Sequence, residues 1–271
     1  MLINSVILIL QETVEAALLI GVLLALNIRL QSSAHWLWVG LAVGFSGAIL
    51  LANQITNISE WFDFAGQEVM VTTLQTIIYL LAALCVWLVT TIRPEAPDSR
   101  KVLAFSTCAA LMIFCAVVRE GQEIILYLYG FSNTEYLQKT LAGGAMGFAI
   151  GVSMGTLLFY SLVDSEGHDR RTICLILLAL FAGNMLSQST VQLMQVDWLI
   201  QSPAIWDTSS IITEDSLLGE LLYALVGYEA TPTPIQSLAY IGGTSFVLCL
   251  AVVGTRRSMQ LDKPVPQETG K

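Results

Sequence analysis

Long apolar stretches, separated by short polar connections, make up most of the chain. Each stretch has about 20 residues or more, the length that an α-helix needs to cross the hydrocarbon core of a bilayer. The pattern predicts an all-α integral membrane protein with seven transmembrane helices. The predicted spans are residues 4–27, 34–54, 69–92, 102–130, 137–163, 171–194 and 235–255.

Composition agrees with this pattern and excludes several function classes. Of the 271 residues, 55% are hydrophobic and only 12% are charged, which is typical of a multi-pass membrane protein. All five cysteines fall within predicted spans without C-x-x-C spacing, so we expect small core residues rather than disulfide, zinc or redox sites. His168 falls in a predicted connection and His35 at the cytoplasmic edge of the second span, which leaves no histidine-based chemistry inside the membrane. Neither an enzymatic activity nor a nucleic-acid partner is expected.

Basic residues are sorted by loop, and this sorting predicts the orientation. Ten of the twelve lie after odd-numbered spans, whereas the opposite loops hold only Lys139, and Arg119 lies within a span. Because cytoplasmic loops carry the excess of Lys and Arg, we expect the N-terminus outside and the C-terminus in the cytoplasm of the cell's inner or plasma membrane. No basic residue precedes Arg29 and no cleavage-like site follows the first span, so that span is not expected to be a signal peptide. The ten basic residues are Arg29, Arg93, Arg100, Lys101, Arg170, Arg171, Arg256, Arg257, Lys263 and Lys271.

Two acidic pairs lie inside predicted spans: Glu12 with Glu15, and Glu120 with Glu123. Placing these four carboxylates and Arg119 at mid-bilayer costs on the order of 12 to 17 kcal/mol by simple addition. Spacing of i,i+3 puts both carboxylates of a pair on one helix face. Two such helices face to face would form a four-carboxylate metal site suited to a hard cation.

An internal repeat relates the two acidic pairs. Residues 11–15 align with residues 119–123, and residues 40–45 later align with residues 143–148, with glycines at the first and fifth positions of both segments. Spans one to three and four to six are therefore expected to be repeats, and because three is odd, the second copy is inverted in the membrane. The glycines are expected to let neighbouring helices pack closely.

This repeat divides one transmembrane domain, residues 1–271, into five parts. The parts are a first repeat at 1–92, a second, inverted repeat at 102–194, an acidic outer segment at 196–234, a seventh helix at 235–256 and a cytoplasmic tail at 257–271.

The predicted outer segment has no basic residue and is rich in acids. Thr213 could cap a short helix over residues 214–226 that ends at Gly227. With the acids of the loop after the second span, this segment would form a negative vestibule that concentrates cations, or an ordinary solvated acidic surface. The acids are Glu60, Asp63, Glu68, Asp197, Asp207, Glu214, Asp215, Glu220 and Glu229.

The motifs REGQE at 119–123 and QETVE at 11–15 resemble the paired R-E-x-x-E signature of the oxidase-dependent iron permease family of fungi and bacteria. The late stretch from Trp206 to Pro232 is also similar to that family's final segment. The resemblance implies a seven-helix permease for high-affinity uptake of iron, with Glu12, Glu15, Glu120 and Glu123 as the translocation site. It implies Fe(III) as the substrate, delivered by a separate ferroxidase or periplasmic iron-binding protein, and no cofactor. Gln11 departs from the pattern, because an arginine usually stands there, so Arg119 and Gln11 hold the charge-balancing positions.

The sequence also allows other interpretations of the four acids. Buried ion pairs, such as Arg119 with Glu123 at i,i+4, could simply hold helices together, but one cation cannot neutralise four anions. A proton-linked carrier of an organic solute is disfavoured because no His, Lys or Asp accompanies the acids. Transport of Fe(II), Mn(II) or Pb(II), and a metal sensor or accessory subunit without transport, are the alternatives. Copper is disfavoured because its carriers use softer sulfur ligands.

Overall fold

Every predicted span forms a continuous helix, because a chain in hydrocarbon must satisfy its backbone N–H and C=O groups within the segment. The computed structural model describes residues 2–30, 32–92, 98–131, 135–165, 167–213 and 216–261, and strands are absent from these residues. The helices are α1 (Leu2–Arg29), α2 (His35–Ser59), α3 (Gly66–Thr91), α4 (Ser99–Gly130), α5 (Leu137–Asp164), α6 (Gly167–Gln195), α7 (Leu217–Val226) and α8 (Pro234–Leu261).

Seven of these helices are long and apolar enough to cross a membrane, and α7 is the short exception. All seven correspond to predicted spans, and their ends differ from the prediction by a few residues. The prediction of a multi-pass, all-helical membrane protein is therefore confirmed.

The most extensive helix contacts join α1 to α5 and α2 to α4. In each pair the helices run parallel, and glycines of the outer helix lie against the backbone of its partner. A Cβ atom on three of these glycines would collide with a carbonyl oxygen of the partner, and on Gly44 it would meet the Val117 side chain at 2.9 Å and the Phe114 oxygen at 3.2 Å, so small residues permit the close approach. The glycine and carbonyl pairs are Gly143 with Leu2, Gly147 with Val6, Gly40 with Ala110 and Gly44 with Phe114.

The centre of the bundle is formed by α1, α3, α4 and α6, with α8 packed against α3 and α6. Toward the end of the bundle where α1 ends and α4 begins, large apolar side chains pack together in the interior. Leu23, Ile78, Phe105, Met112 and Met185 are buried in one continuous cluster there. The intramembrane acids Glu12, Glu15, Glu120 and Glu123 lie toward the other half, where α6 ends and α8 begins.

The predicted short helix exists as α7, with one correction at its start. It begins at Leu217 rather than at residue 214, and its N-cap is Ser216 rather than Thr213, because the Ser216 hydroxyl accepts a hydrogen bond from the Gly219 amide at 3.0 Å. It ends at Gly227 as predicted, where a φ of 66° favours glycine.

The position of α7 also differs from that of a solvated loop. Ala224 on α7 is buried in an apolar cluster with Leu10, Val14 and Leu18 of α1. Beyond its C-terminal end, Gly227 lies against Asn184 of α6. The short helix thus runs alongside α1 into the bundle instead of lying over its end.

Some predicted features fall outside the described residues. They are Arg93, Lys263, Lys271, Glu214, Asp215 and most of the predicted tail, together with the side chains of Arg29, His168 and Glu220. Cys85, Cys108, Cys115 and Cys174 are buried as expected, but Cys249 lies on the exposed face of α8.

Candidate functional site

The two acidic pairs meet across α1 and α4, which run antiparallel. The Ser5 and Tyr127 hydroxyls are hydrogen-bonded at 2.9 Å, and further along α1 the Glu15 carboxylate pairs with the Arg119 guanidinium. The i,i+3 spacing puts each pair on one helix face, and the antiparallel crossing turns the two faces toward each other. Helix geometry therefore brings together the residues that the sequence singled out.

Arg119 lies at the centre of this arrangement. Its Nη2 atom donates hydrogen bonds to both Glu15 and Glu120, and its Nη1 atom donates to Oε1 of Gln188 on α6 at 2.5 Å. Arg119, Glu15 and Glu120 are each at most 5% exposed. The sequence had offered Glu123 as the partner of Arg119, and this pairing is wrong: the ion pairs are with Glu15 and Glu120. Such charge-assisted hydrogen bonds hold the guanidinium between the two helices.

The remaining two glutamates complete the group. Glu12 interacts electrostatically with Glu120, Glu15 and Glu123, and Glu123 interacts with Arg119 and Glu15. The cluster therefore combines one guanidinium with an excess of carboxyl groups.

A cavity of about 340 Å³ opens beside the cluster. Glu12, Glu15 and Glu123 line it, together with Arg119 and Gln11. Gln11 thus faces the same space as the acids, but its amide contributes no charge.

The cluster is not arranged as a ready-made metal cage. Among the described residues, no group of three or more His, Cys, Asp or Glu side chains has the spacing to hold a metal ion. Arg119 accounts for this, because it occupies the position between Glu15 and Glu120. Metal binding by the four glutamates stays a prediction.

Several cavity residues were missed from the sequence: Gln75 on α3, Gln188 and Gln192 on α6, and Tyr223 on α7. Glu229, which follows α7 and also lines the cavity, was predicted only as an acid of the outer segment. A glutamine inside an otherwise apolar span could have indicated a polar site, because burying an amide without a hydrogen-bond partner costs free energy. The contributions of Tyr223 and Glu229 depend on how α7 packs, which hydropathy does not reveal.

Acidic side chains also lie on the surface at this end of the bundle. Glu60, Asp63, Asp197 and Asp207 are exposed. The amide and hydroxyl of Ser209 donate hydrogen bonds to the Asp207 carboxylate, and these bonds lower the pKa of Asp207. This carboxylate therefore stays negatively charged under neutral conditions.

The chain was compared with known proteins. A family model described as the iron permease FTR1 family matches residues 2–261. Iron permease EfeU of Bacillus subtilis (strain 168) is 26% identical over 164 residues, which cover 55% of this chain and 33% of that protein. This chain thus spans about a third of the length of the Bacillus relative.

Two enterobacterial relatives align over more of their length. Ferrous iron permease EfeU of Escherichia coli O6:H1 is 23% identical over 244 residues, which cover 83% of this chain and 86% of that protein. The protein of the same name from Shigella sonnei is 23% identical over 243 residues, with the same shares covered. No solved structure matches the chain significantly.

Proposed function

The chain belongs to the iron permease FTR1 family, and we propose that it takes up iron through the cavity lined by Glu12, Glu15 and Glu123. Glu120 is linked to Glu15 through Arg119, with which both carboxylates form ion pairs. The observation that carries this proposal is the convergence of acids from α1 and α4 on one polar cavity inside a membrane bundle. Placing carboxylates inside the membrane costs free energy, and binding of a transported cation would explain why the chain carries them there.

Charge balance supports a cation as the substrate. Four carboxyl groups face one guanidinium, and the excess of negative charge in a buried site must be relieved by protons, water or a cation. A metal ion bound between Glu12 of α1 and Glu120 of α4 would gain carboxylate ligands from both helices at once. Before the ion can be held by all four groups, Arg119 must release Glu15 and Glu120.

Carboxylates are hard oxygen ligands, which favours Fe(III) as the first candidate for the substrate. In that case a separate ferroxidase or iron-delivery protein would supply the ion. Fe(II) is the second candidate, because the relatives from Escherichia coli and Shigella sonnei are named ferrous iron permeases.

An inverted repeat with the N-terminus outside is part of the proposal. The sequence alignment that pairs residue 11 with residue 119 also pairs Leu2 with Ala110 and Val6 with Phe114. The glycines that pack on these carbonyls, at 143 and 147 in one pair and 40 and 44 in the other, are the ones aligned in the sequence. The α1/α5 and α4/α2 pairs thus have equivalent contacts, as two inverted copies require. In this orientation α7 and the cavity lie toward the outer side.

The test is iron transport by the purified protein in liposomes, with a trapped chelator dye that reports Fe³⁺ supplied as citrate complex or Fe²⁺ under anaerobic conditions. Glu12→Gln, Glu15→Gln, Glu120→Gln and Glu123→Gln keep side-chain size and remove one charge each. We expect each to reduce transport at least about tenfold, since a lost charged ligand costs more than the 1.4 kcal/mol that a factor of ten represents.

Asp164→Asn is the matched control, because Asp164 is exposed at the end of α5 away from the cavity and the substitution is of the same type. It should transport at the rate of the unaltered protein. Wild-type rates in two or more of the glutamate variants would contradict the four-glutamate site. Binding without transport in the unaltered protein would favour a sensor or accessory subunit instead.

A further inference from the structure

Two buried glutamine amides are linked to the Arg119 guanidinium, one directly and the other through the first. Gln75 on α3 donates from Nε2 to Oε1 of Gln188 on α6 at 2.9 Å, and the same oxygen accepts from Nη1 of Arg119 at 2.5 Å. Gln75 is 1% and Gln188 is 7% exposed. The Gln188 carbonyl thus takes two hydrogen bonds and ties Arg119 to a helix that contributes none of the four glutamates.

The guanidinium and an arriving cation compete for the same oxygens. Nη2 of Arg119 binds one oxygen of Glu15 and one of Glu120, and the other oxygen of Glu120 is buried without a hydrogen-bond partner among the described residues. A metal held by these carboxylates needs their lone pairs and is repelled by the guanidinium. The guanidinium must therefore give up contacts to the carboxylates when the cation binds.

A guanidinium released inside a bundle needs another acceptor, because a buried charged donor without a partner is costly. Gln188 already provides one. Its amide is neutral, so it accepts the guanidinium without adding a charge, and Gln75 fixes the amide with its oxygen toward Arg119.

We propose that Gln188, held by Gln75, is a positioning residue that retains Arg119 beside the cavity when the glutamates bind a cation. This inference rests on the proposed function, since it assumes that the four glutamates bind iron. Gln188 acts through Arg119: it lowers the free-energy cost of breaking the ion pairs of Arg119 with Glu15 and Glu120. Gln75 supports it by fixing the orientation of the Gln188 amide.

Binding of Fe³⁺ supplied as citrate complex, and of Fe²⁺ under anaerobic conditions, to the purified full-length protein tests this role. Gln188→Leu removes the acceptor, and we expect binding about 10- to 100-fold weaker, the range corresponding to one hydrogen bond to a charged group. Gln188→Glu keeps an acceptor of the same shape and should restore wild-type affinity or exceed it. Structural damage would instead weaken binding in both variants.

Gln195→Leu is the matched control, because Gln195 is exposed at the end of the same helix. It should bind iron as the unaltered protein does. In an Arg119→Gln background, Gln188→Leu should change affinity by less than about threefold, because the group that Gln188 positions is gone.

Two results would overturn the proposal. One is wild-type affinity in Gln188→Leu while Glu12→Gln binds poorly, which would leave the proposed function intact. The other is an equal loss with and without Arg119, which would show that Gln188 does not act through it. If the unaltered protein binds neither form of iron, the proposed function itself fails and this inference falls with it.

Discussion

At the scale of single residues, the balance between Arg119 and the four glutamates sets the chemistry of the cavity. Spacing along the sequence was sufficient to predict that the acids of each pair share a face, because i,i+3 neighbours on a helix lie one turn apart. It was insufficient to identify the partners of Arg119. The i,i+4 spacing predicts Glu123 as the partner of Arg119. The structure instead pairs Arg119 with Glu15 of α1 and Gln188 of α6, which depends on how these helices pack against α4.

Gln11 offers a direct test of that charge balance. It lines the same cavity as Glu12 and Glu15, so Gln11→Arg would add a positive charge that faces the cation. Two unit charges about 4 Å apart interact by about 1 kcal/mol in bulk water and by about 4 kcal/mol near a protein surface. We therefore expect iron binding to weaken about tenfold or more.

Equilibrium binding of iron to the purified variant measures this effect, and Gln11→Leu is its control for size without charge. Gln11→Leu should bind iron within about threefold of the unaltered protein, since it changes no charge. Equal affinity in Gln11→Arg and the unaltered protein would mean that position 11 does not sense the bound cation.

At the scale of helices, hydropathy was enough to predict all seven membrane-crossing helices. Their apolar stretches are long, and no other backbone arrangement is satisfied in lipid. The same signal could not place α7. Ten residues are too few to cross a bilayer, and the contact of Ala224 with α1 depends on tertiary packing.

Close packing of α1 on α5 should be sensitive to a single methyl group. A Cβ at Gly147 would overlap the Val6 carbonyl, which is backbone and cannot move aside alone. We expect Gly147→Ala to lower the free energy of unfolding by about 1 to 3 kcal/mol, the usual cost of overpacking. A lower midpoint of thermal unfolding in detergent would report it.

Gly242→Ala is the matched control, because a Cβ there meets no described atom within 4 Å. In the middle of α8 it should leave stability unchanged or raise it slightly, since alanine favours helix more than glycine does. Equal midpoints for Gly147→Ala and Gly242→Ala would contradict the close approach of α1 and α5.

At the scale of the whole molecule, the polar cavity and the apolar interior divide the bundle into two halves. The cavity lies beside α7, while Leu23, Ile78, Phe105 and Met112 close the other half. A cation at the glutamates thus faces an apolar barrier on one side. If iron passes by the proposed glutamate site, we expect the helices to rearrange around it, as in carriers that alternate access between their two sides.

Orientation in the membrane decides which half faces the cytoplasm, and it is directly testable. Arg170 lies in the first turn of α6 and donates hydrogen bonds to the carbonyls of Val163 and Ser165 at the end of α5. The opposite surface carries exposed acids, among them Asp207, which accepts hydrogen bonds from Ser209. Because basic residues remain on the cytoplasmic side, we expect Ser165 inside and Ser209 outside.

Single cysteines at these two positions, in a background with the exposed Cys249 replaced by serine, can be labelled with a membrane-impermeant maleimide. Ser209→Cys should react in intact cells, whereas Ser165→Cys should react only after the membrane is opened. The unsubstituted background controls for the four buried cysteines and should remain unlabelled in intact cells. Labelling of Ser165→Cys from outside would invert the orientation, and α7 with the glutamate cavity would then face the cytoplasm, as expected of an exporter rather than of an uptake permease.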